Sequence, residues 1–230
     1  INEILWALNI TGYECKYSDP RFSKTYEYGI FREQYMTLEE YKKKYFDSSR
    51  PYTVGLLESN MYVSNGQLQP YYALIKSLEA KGCNVIPVVA AGGSENQLKV
   101  MVKYFTNAPS YEAYLNNPLK YTNNVNAIIS MPAHGIGGNL FDNTTKYFET
   151  AGVPVFRAVH SDYVSNEEWE LSATGLPGNR SDKWWHVAIG EAQGIIEATF
   201  VGGVTHEISS KTGAQLSGFK AHEKNIDLFT

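Results

Sequence analysis

The residues best suited to chemistry lie close together in the second half of the chain. Asn166-Glu-Glu-Trp-Glu170 is followed by Trp184-Trp-His-Val-Ala-Ile-Gly-Glu191. His186 supplies an imidazole, which exchanges protons near neutral pH and ligates divalent ions. Glu191 supplies a carboxylate, a base or an oxygen ligand. Asp182 stands four residues before His186, so on a helix the two share a face and the carboxylate orients the ring. His186 and Glu191 are five apart, about 140° around a helix and on opposite faces of a strand. They converge only if the chain bends between them, and Gly190 permits a bend. Three tryptophans in this span, Trp169, Trp184 and Trp185, can wall a flat aromatic ligand or pack in the core.

Other candidates depend on the elements that carry them. Tyr52–Leu57, Asn84–Val89, Val125–Ser130 and Val153–Val159 are short apolar runs of the kind buried on both faces of a parallel sheet. Between them lie helical patterns. Pro70 opens one that carries Tyr71, Leu74, Ile75 and Leu78, and Lys81-Gly82 closes it. Ser94 opens a second with Leu98, Met101, Val102 and Phe105, and Thr144–Ala151 forms a third. Asn166 is read as the cap of Glu167–Glu170, Asp182–Ile189 as a helix and Ile195–Val201 as a further strand. Strand and helix in alternation predict an α/β fold, a mainly parallel sheet flanked by helices in flavodoxin-like or Rossmann-like layers. Ligands of such sheets sit beyond the carboxyl ends of the strands, which places the loops 58–69, 90–94, 131–142 and 160–166 on the functional rim. Asn65 falls on the first of these loops. His134 and His160 each end a strand at that rim, where two neutral imidazoles can hold a divalent metal or a metal-accepting ligand. Residues 1–50 are read as an N-terminal helical and irregular segment, with a capping box at Thr37-Leu-Glu-Glu40. Residues 51–230 are read as the α/β domain.

Composition removes several classes of function. The 230 residues are 43% apolar and 19% charged with net charge −4, a globular balance with no basic stripe for nucleic acid. No run of about 20 apolar residues is present to span a membrane. Cys15 and Cys83 are too far apart in sequence for a CxxC pair. Gly135-Ile-Gly-Gly138 lacks the dinucleotide spacing, and no GxxxxGK[ST] loop exists, so ATP has no P-loop here. The chain opens at Ile1 with no signal peptide and reads as a piece of something longer.

Several segments resemble the large subunit of the tetrapyrrole metal chelatases, the CobN/magnesium chelatase family, over roughly 28–230. They are Tyr28-Gly-Ile30, Arg50-Pro51 leading into Val54-Gly-Leu-Leu57, Ala73–Gly82, Asn84–Val88 and Ala151–Val155. The most specific are Glu167-Glu-Trp-Glu170 with Gly175-Leu176, then His186-Val-Ala-Ile-Gly-Glu191 and Gly194-Ile195, where the family writes EEWE…GL and HVALPE-x-DG-x-I. The imidazole before Val187 resembles the CobN branch. The resemblance implies a subunit that binds a corrinoid or porphyrinoid and inserts a divalent metal, cobalt first, with magnesium or nickel as alternatives. It implies His186 and Glu191 as catalytic residues and transient metal ligands. His134, His160, Glu167, Trp185 and Asn65 are then the substrate-binding set. It also implies AAA-type ATPase partner subunits that use the ATP, the remainder of a larger subunit, and a cytoplasmic location. A non-catalytic ligand-binding module of the same fold, extracellular if part of a surface protein, is the alternative. Three positions depart from the family: Gly190 stands for its Pro, Gln193 for its Asp, and Asn65–Pro70 lacks its acid.

Overall fold

The computed structural model describes residues 28–138, 141–176, 183–208 and 218–230, with isolated positions elsewhere. Among these, eight strands form one sheet: β1 (Gly29–Arg32), β2 (Gln34–Met36), β3 (Tyr52–Ser59), β4 (Cys83–Ala90), β5 (Ala127–Ser130), β6 (Val155–Ser161), β7 (Ile196–Val204) and β8 (Phe219–Ala221). Their order is β2-β1-β4-β3-β5-β6-β7-β8. The five strands from β4 to β7 are parallel, and counted along the chain they run 2-1-3-4-5, the flavodoxin-like winding. The expected fold class holds. The edges β1, β2 and β8 are antiparallel.

The helices are α1 (Leu38–Tyr45), α2 (Asn60–Asn65), α3 (Gln69–Ala80), α4 (Glu95–Phe105), α5 (Tyr111–Asn116), α6 (Phe141–Ala151) and α7 (Asn166–Leu171). A π-helical turn at Lys183–Ala188 then runs into the short α8 (Ile189–Ala192), and α9 (Glu223–Phe229) ends the chain. The central strands are buried on both faces, as their unbroken apolar runs require. On one face α3 and α9 set Tyr71, Leu74, Ile75, Leu78 and Ile226 against Leu56, Val85, Val89 and Ala158. On the other, α4 and α6 set Leu98, Met101, Phe105 and Tyr147 among Leu57, Ile86, Val88 and Ile128. Each such side chain contributes about 1.5–3 kcal/mol on burial. Gly55 makes room for this packing, because a β-carbon there would lie 2.8 Å from the Phe105 ring. No helix among the described residues is long and apolar enough to cross a membrane.

Local differences from the sequence reading have local causes. The Thr37 capping box is present, with Glu40 N donating to Thr37 Oγ1 at 3.2 Å and Thr37 N to Glu40 Oε2 at 2.9 Å. Residues 60–65, read as loop, are helix. Ser59 Oγ caps them by accepting from Met61 N, and Gly66 ends them in the left-handed region. The cap of α7 is Ser165 and not Asn166, since Ser165 and Glu168 bond reciprocally. The polar stretch before residue 50 supplies β1, β2 and α1 to the same sheet and core. Its strands of three and four residues are too short to show a period.

Candidate functional site

β3 and β5 lie side by side, but the crossovers that leave them run to opposite sides, to β4 and to β6. The loops beyond Ser59 and Ser130 therefore part and open a crevice, where sheets of this winding hold ligands. A cavity of about 170 Å³ occupies it, lined by Tyr62 after β3, His134 after β5, Asp162 after β6, and Trp185 and His186 from the π-helical turn. A larger cavity of about 450 Å³ adjoins it, sharing Gly92, His134 and Trp185.

Beneath the crevice lies a cluster of buried polar side chains. Alternation along β3 and β6 turns Glu58 and His160 to the same face of the sheet. Glu58 Oε2 lies 3.0 Å from His160 Nε2, and each side chain is 2% exposed. The contact is an ion pair in distance, but neither His160 nitrogen has a well-aligned hydrogen bond. The other Glu58 oxygen accepts from Ser59 N at 2.6 Å. The Tyr62 and Phe219 rings grip the His160 ring, with centroids 4.4 and 5.2 Å away. Tyr62 in turn donates its hydroxyl to Asp162 Oδ2 at 3.1 Å.

The His186 ring lies 6.2 Å from that of His160 and is 2% exposed, with Nδ1 unpartnered. Burial holds its pKa well below the usual imidazole value, and the His160, Arg157 and His134 charges push the same way. His186 is therefore neutral at pH 7 and keeps a lone pair for a proton or an ion. Arg157, also fully buried, donates to Ser130 Oγ at 3.2 Å and to the Pro132 carbonyl, while Nε and Nη2 have no partner. Burial lowers its pKa to about 10, and Glu58 opposes that shift. Gly190 packs against this guanidinium, where a β-carbon would sit 3.3 Å from two of its nitrogens.

The structure divides the residues picked out from the sequence. It brings His134, Trp185 and His186 to the crevice, with His134 exposed at the mouth and its ring 4.7 Å from that of Trp185. His160 lies one layer below. Glu191 does not join them. It is exposed and lines a third cavity, of about 430 Å³, with Lys183, Val187, Trp169 and Phe200. The wider π-helical turn sends Trp185 and His186 to one flank and Val187 and Ala188 to the other, so the bend expected at Gly190 does not unite acid and imidazole. The three tryptophans diverge as well. Trp169 stacks on Phe200 at 4.8 Å, and Trp184 is 60% exposed. Glu167 is exposed on α7, 3.5 Å from Lys220, and Asn65 is exposed at the end of α2. Neither is among the residues lining these cavities. Asp182, and with it the proposed contact to His186, lies outside the described residues. Among those residues no three His, Cys, Asp or Glu side chains cluster to hold an ion.

Sequence reasoning passed over Glu58, Arg157, Tyr62 and Asp162. A signal for Arg157 was present: a charge inside an otherwise apolar strand is buried, and buried charges need company. Gln193 was marked in the sequence only as a departure from the family's Asp, and the structure gives it a role. Its Oε1 accepts from Ile136 N at 3.0 Å and its Nε2 donates to Ile136 O at 2.8 Å. That grip needs a donor and an acceptor, which an amide has and the Asp of the family pattern lacks when ionised.

The fold is shared with the catalytic subunit of cobaltochelatase from Mycobacterium tuberculosis. The TM-score is 0.58 over 95% of this chain and 16% of that one, at 14% identity, a likeness of fold alone. An uncharacterized protein of Methanocaldococcus jannaschii is 28% identical over 184 residues, which are 75% of this chain and 14% of that protein. The chain thus spans about a sixth or less of these proteins. The model of the CobN/magnesium chelatase family matches residues 5–230, taking in the whole sheet, the crevice loops and the π-helical turn, and the chain accordingly belongs to that family.

Proposed function

We propose that this chain is the part of a chelatase large subunit that holds a corrinoid or porphyrinoid in the crevice beyond β3 and β5 while a divalent ion, cobalt, enters the ring. The observation that carries this reading is the neutral His186, its Nδ1 unpartnered, beside the exposed His134, in adjoining cavities that share the Trp185 side chain. Metal insertion replaces two pyrrole N–H protons by one divalent ion. It needs a group that accepts a proton and a ligand that releases the ion easily. A neutral imidazole serves either purpose, and the Trp185 ring offers a flat apolar contact for the macrocycle. Magnesium and nickel are the alternative substrates. AAA-type partner subunits hydrolyse the ATP, the remainder of the large subunit completes the site, and the assembly works in the cytoplasm. Glu191 is assigned to the neighbouring cavity and not to the entering metal.

A second reading, ligand binding without insertion, is favoured by one observation, the separation of Glu191 from His186 across the π-helical turn. Two measurements on the full chain decide between them. Titration with deuteroporphyrin IX or a metal-free corrin should shift the visible absorbance bands, and His134→Ala with His186→Ala should weaken binding at least tenfold. An unchanged wild-type spectrum would remove both readings. Cobalt uptake with ATP and the partner subunits, followed by the spectrum of the metallated ring, separates insertion from binding alone.

A further inference from the structure

We infer that the larger of the two crevice cavities is a subsite for an oxyanion, the carboxylate of a side chain on the macrocycle. The inference rests on the reading above and adds to it which part of the guest goes where. Four glycines line this cavity, Gly92 and Gly93 after β4 and Gly135 and Gly138 after β5, together with His134, Trp185 and Gln193. None of the four glycine amides donates to a backbone carbonyl among the described residues. Amides of a cavity wall that have no partner among the described residues offer partial positive charge to whatever enters. The indole N–H of Trp185 and the His134 ring add side-chain donors. No Asp or Glu lines this cavity. The other two differ in that respect, for Asp162 lines the smaller crevice cavity and Glu191 the cavity on the far flank.

The cradle is also held in shape. Gly93 and Gly138 both adopt left-handed backbone, with φ of 61° and 59°. A β-carbon on Gly138 would collide with the Gly93 carbonyl, so the two loops meet backbone to backbone. From behind, Gln193 grips both backbone groups of Ile136, and Gln97 Oε1 accepts from Gly137 N at 3.2 Å. Because the two crevice cavities share His134 and Trp185, a ring lying over His186 can extend an acidic side arm into the glycine cavity. A free phosphate has the same chemistry, and the test separates the two sources.

The probes are deuteroporphyrin IX, which carries two propionates, its dimethyl ester, and inorganic phosphate. Binding to the full chain is followed by absorbance and by quenching of tryptophan fluorescence. A β-carbon on Gly92 meets nothing closer than 3.5 Å, so a side chain can start there, and Gly92→Asn serves as the uncharged control of equal bulk for Gly92→Asp. The wild type should bind the acid about tenfold more tightly than the ester, the worth of one charge-assisted hydrogen bond. Gly92→Asp should weaken acid binding by about the same factor and leave the ester within twofold, while Gly92→Asn keeps the preference. Equal affinity for acid and ester in the wild type, or equal loss of both in Gly92→Asp, overturns the subsite. If neither porphyrin binds but phosphate quenches the wild type and not Gly92→Asp, the oxyanion is free phosphate, and the carboxylate assignment falls with the macrocycle reading. If phosphate fails too, no oxyanion subsite remains.

Discussion

The segment Lys183–Ala192 separates two regions of unlike character. On one flank, Trp185 and His186 face the crevice at the switch point of the sheet, over the buried Glu58–His160 contact and Arg157. On the other, Val187 and Ala188 complete an apolar hollow floored by the stacked Trp169 and Phe200, with Lys183 and Glu191 in its lining. The first region keeps polar groups in a dry setting, where charge interactions are strong and an unpartnered lone pair is costly. The second keeps its charged groups wet and packs apolar surface beneath them. Residues adjacent in sequence thus enter different chemistry, because a helical turn distributes neighbours around its axis while a binding site gathers them from distant strands.

This contrast is open to direct attack, and the largest effect should come from the pair of residues the turn divides. In an assay of the proposed cobalt insertion, run with the proposed ATPase subunits, His186→Ala should lower the rate about 100-fold or more, in the range of a lost acid–base group. Glu191→Gln should change it less than about threefold, and a reversed ranking would move the chemistry to the far flank. Stability should show the same asymmetry. Removal of a buried polar group that leaves its neighbours unsatisfied costs about 1–3 kcal/mol, so Glu58→Ala, which strips Ser59 N and His160 of their contact, should lower the free energy of urea unfolding by that amount. Glu191→Ala, at an exposed position, should stay within about 0.5 kcal/mol.

Acid sharpens the comparison further. Unfolded, His186 titrates near its ordinary value of 6.5, whereas in the fold it titrates well below that. As pH falls through 6.5 the unfolded chain binds the extra proton first, so stability is lost on acidification and is complete above that value. This group alone contributes a slope that approaches about 1.4 kcal/mol per pH unit below pH 6.5, and His186→Gln should remove that share of the slope in urea unfolding as the pH falls from about 7 to 5.5. The smallest effect belongs to the helix that carries Trp169. Ser165→Ala removes the cap of α7 and should cost about 1 kcal/mol by thermal unfolding while macrocycle affinity holds.

Legibility followed the length and regularity of each pattern. The Leu98, Met101, Val102, Phe105 spacing showed where α4 would bury its face, and those four side chains are buried. The alternation of strand and helix was enough for the parallel sheet, and the carboxyl-edge rule then led to the loops that form the crevice. The six-residue α2 and the short edge strands β1, β2 and β8 were not readable, because two or three residues per face carry no period. Arg157 stood within an apolar run and Glu58 just after one, and nothing along the chain said that they lie in one buried cluster with His160 and His186.

Local order, then, is what the sequence determined by itself: apolar runs that must be buried on both sides, caps that close helices, and the absence of a phosphate loop. These depend on neighbours a few residues apart. The tertiary structure alone decided that His186 and Glu191 face different cavities, that Glu58 meets His160 across 102 positions, and that four glycines from two loops form one cradle. Those outcomes rest on strand register, on the pitch of one π-helical turn and on backbone-to-backbone contact between loops, and no spacing along the chain encodes any of the three.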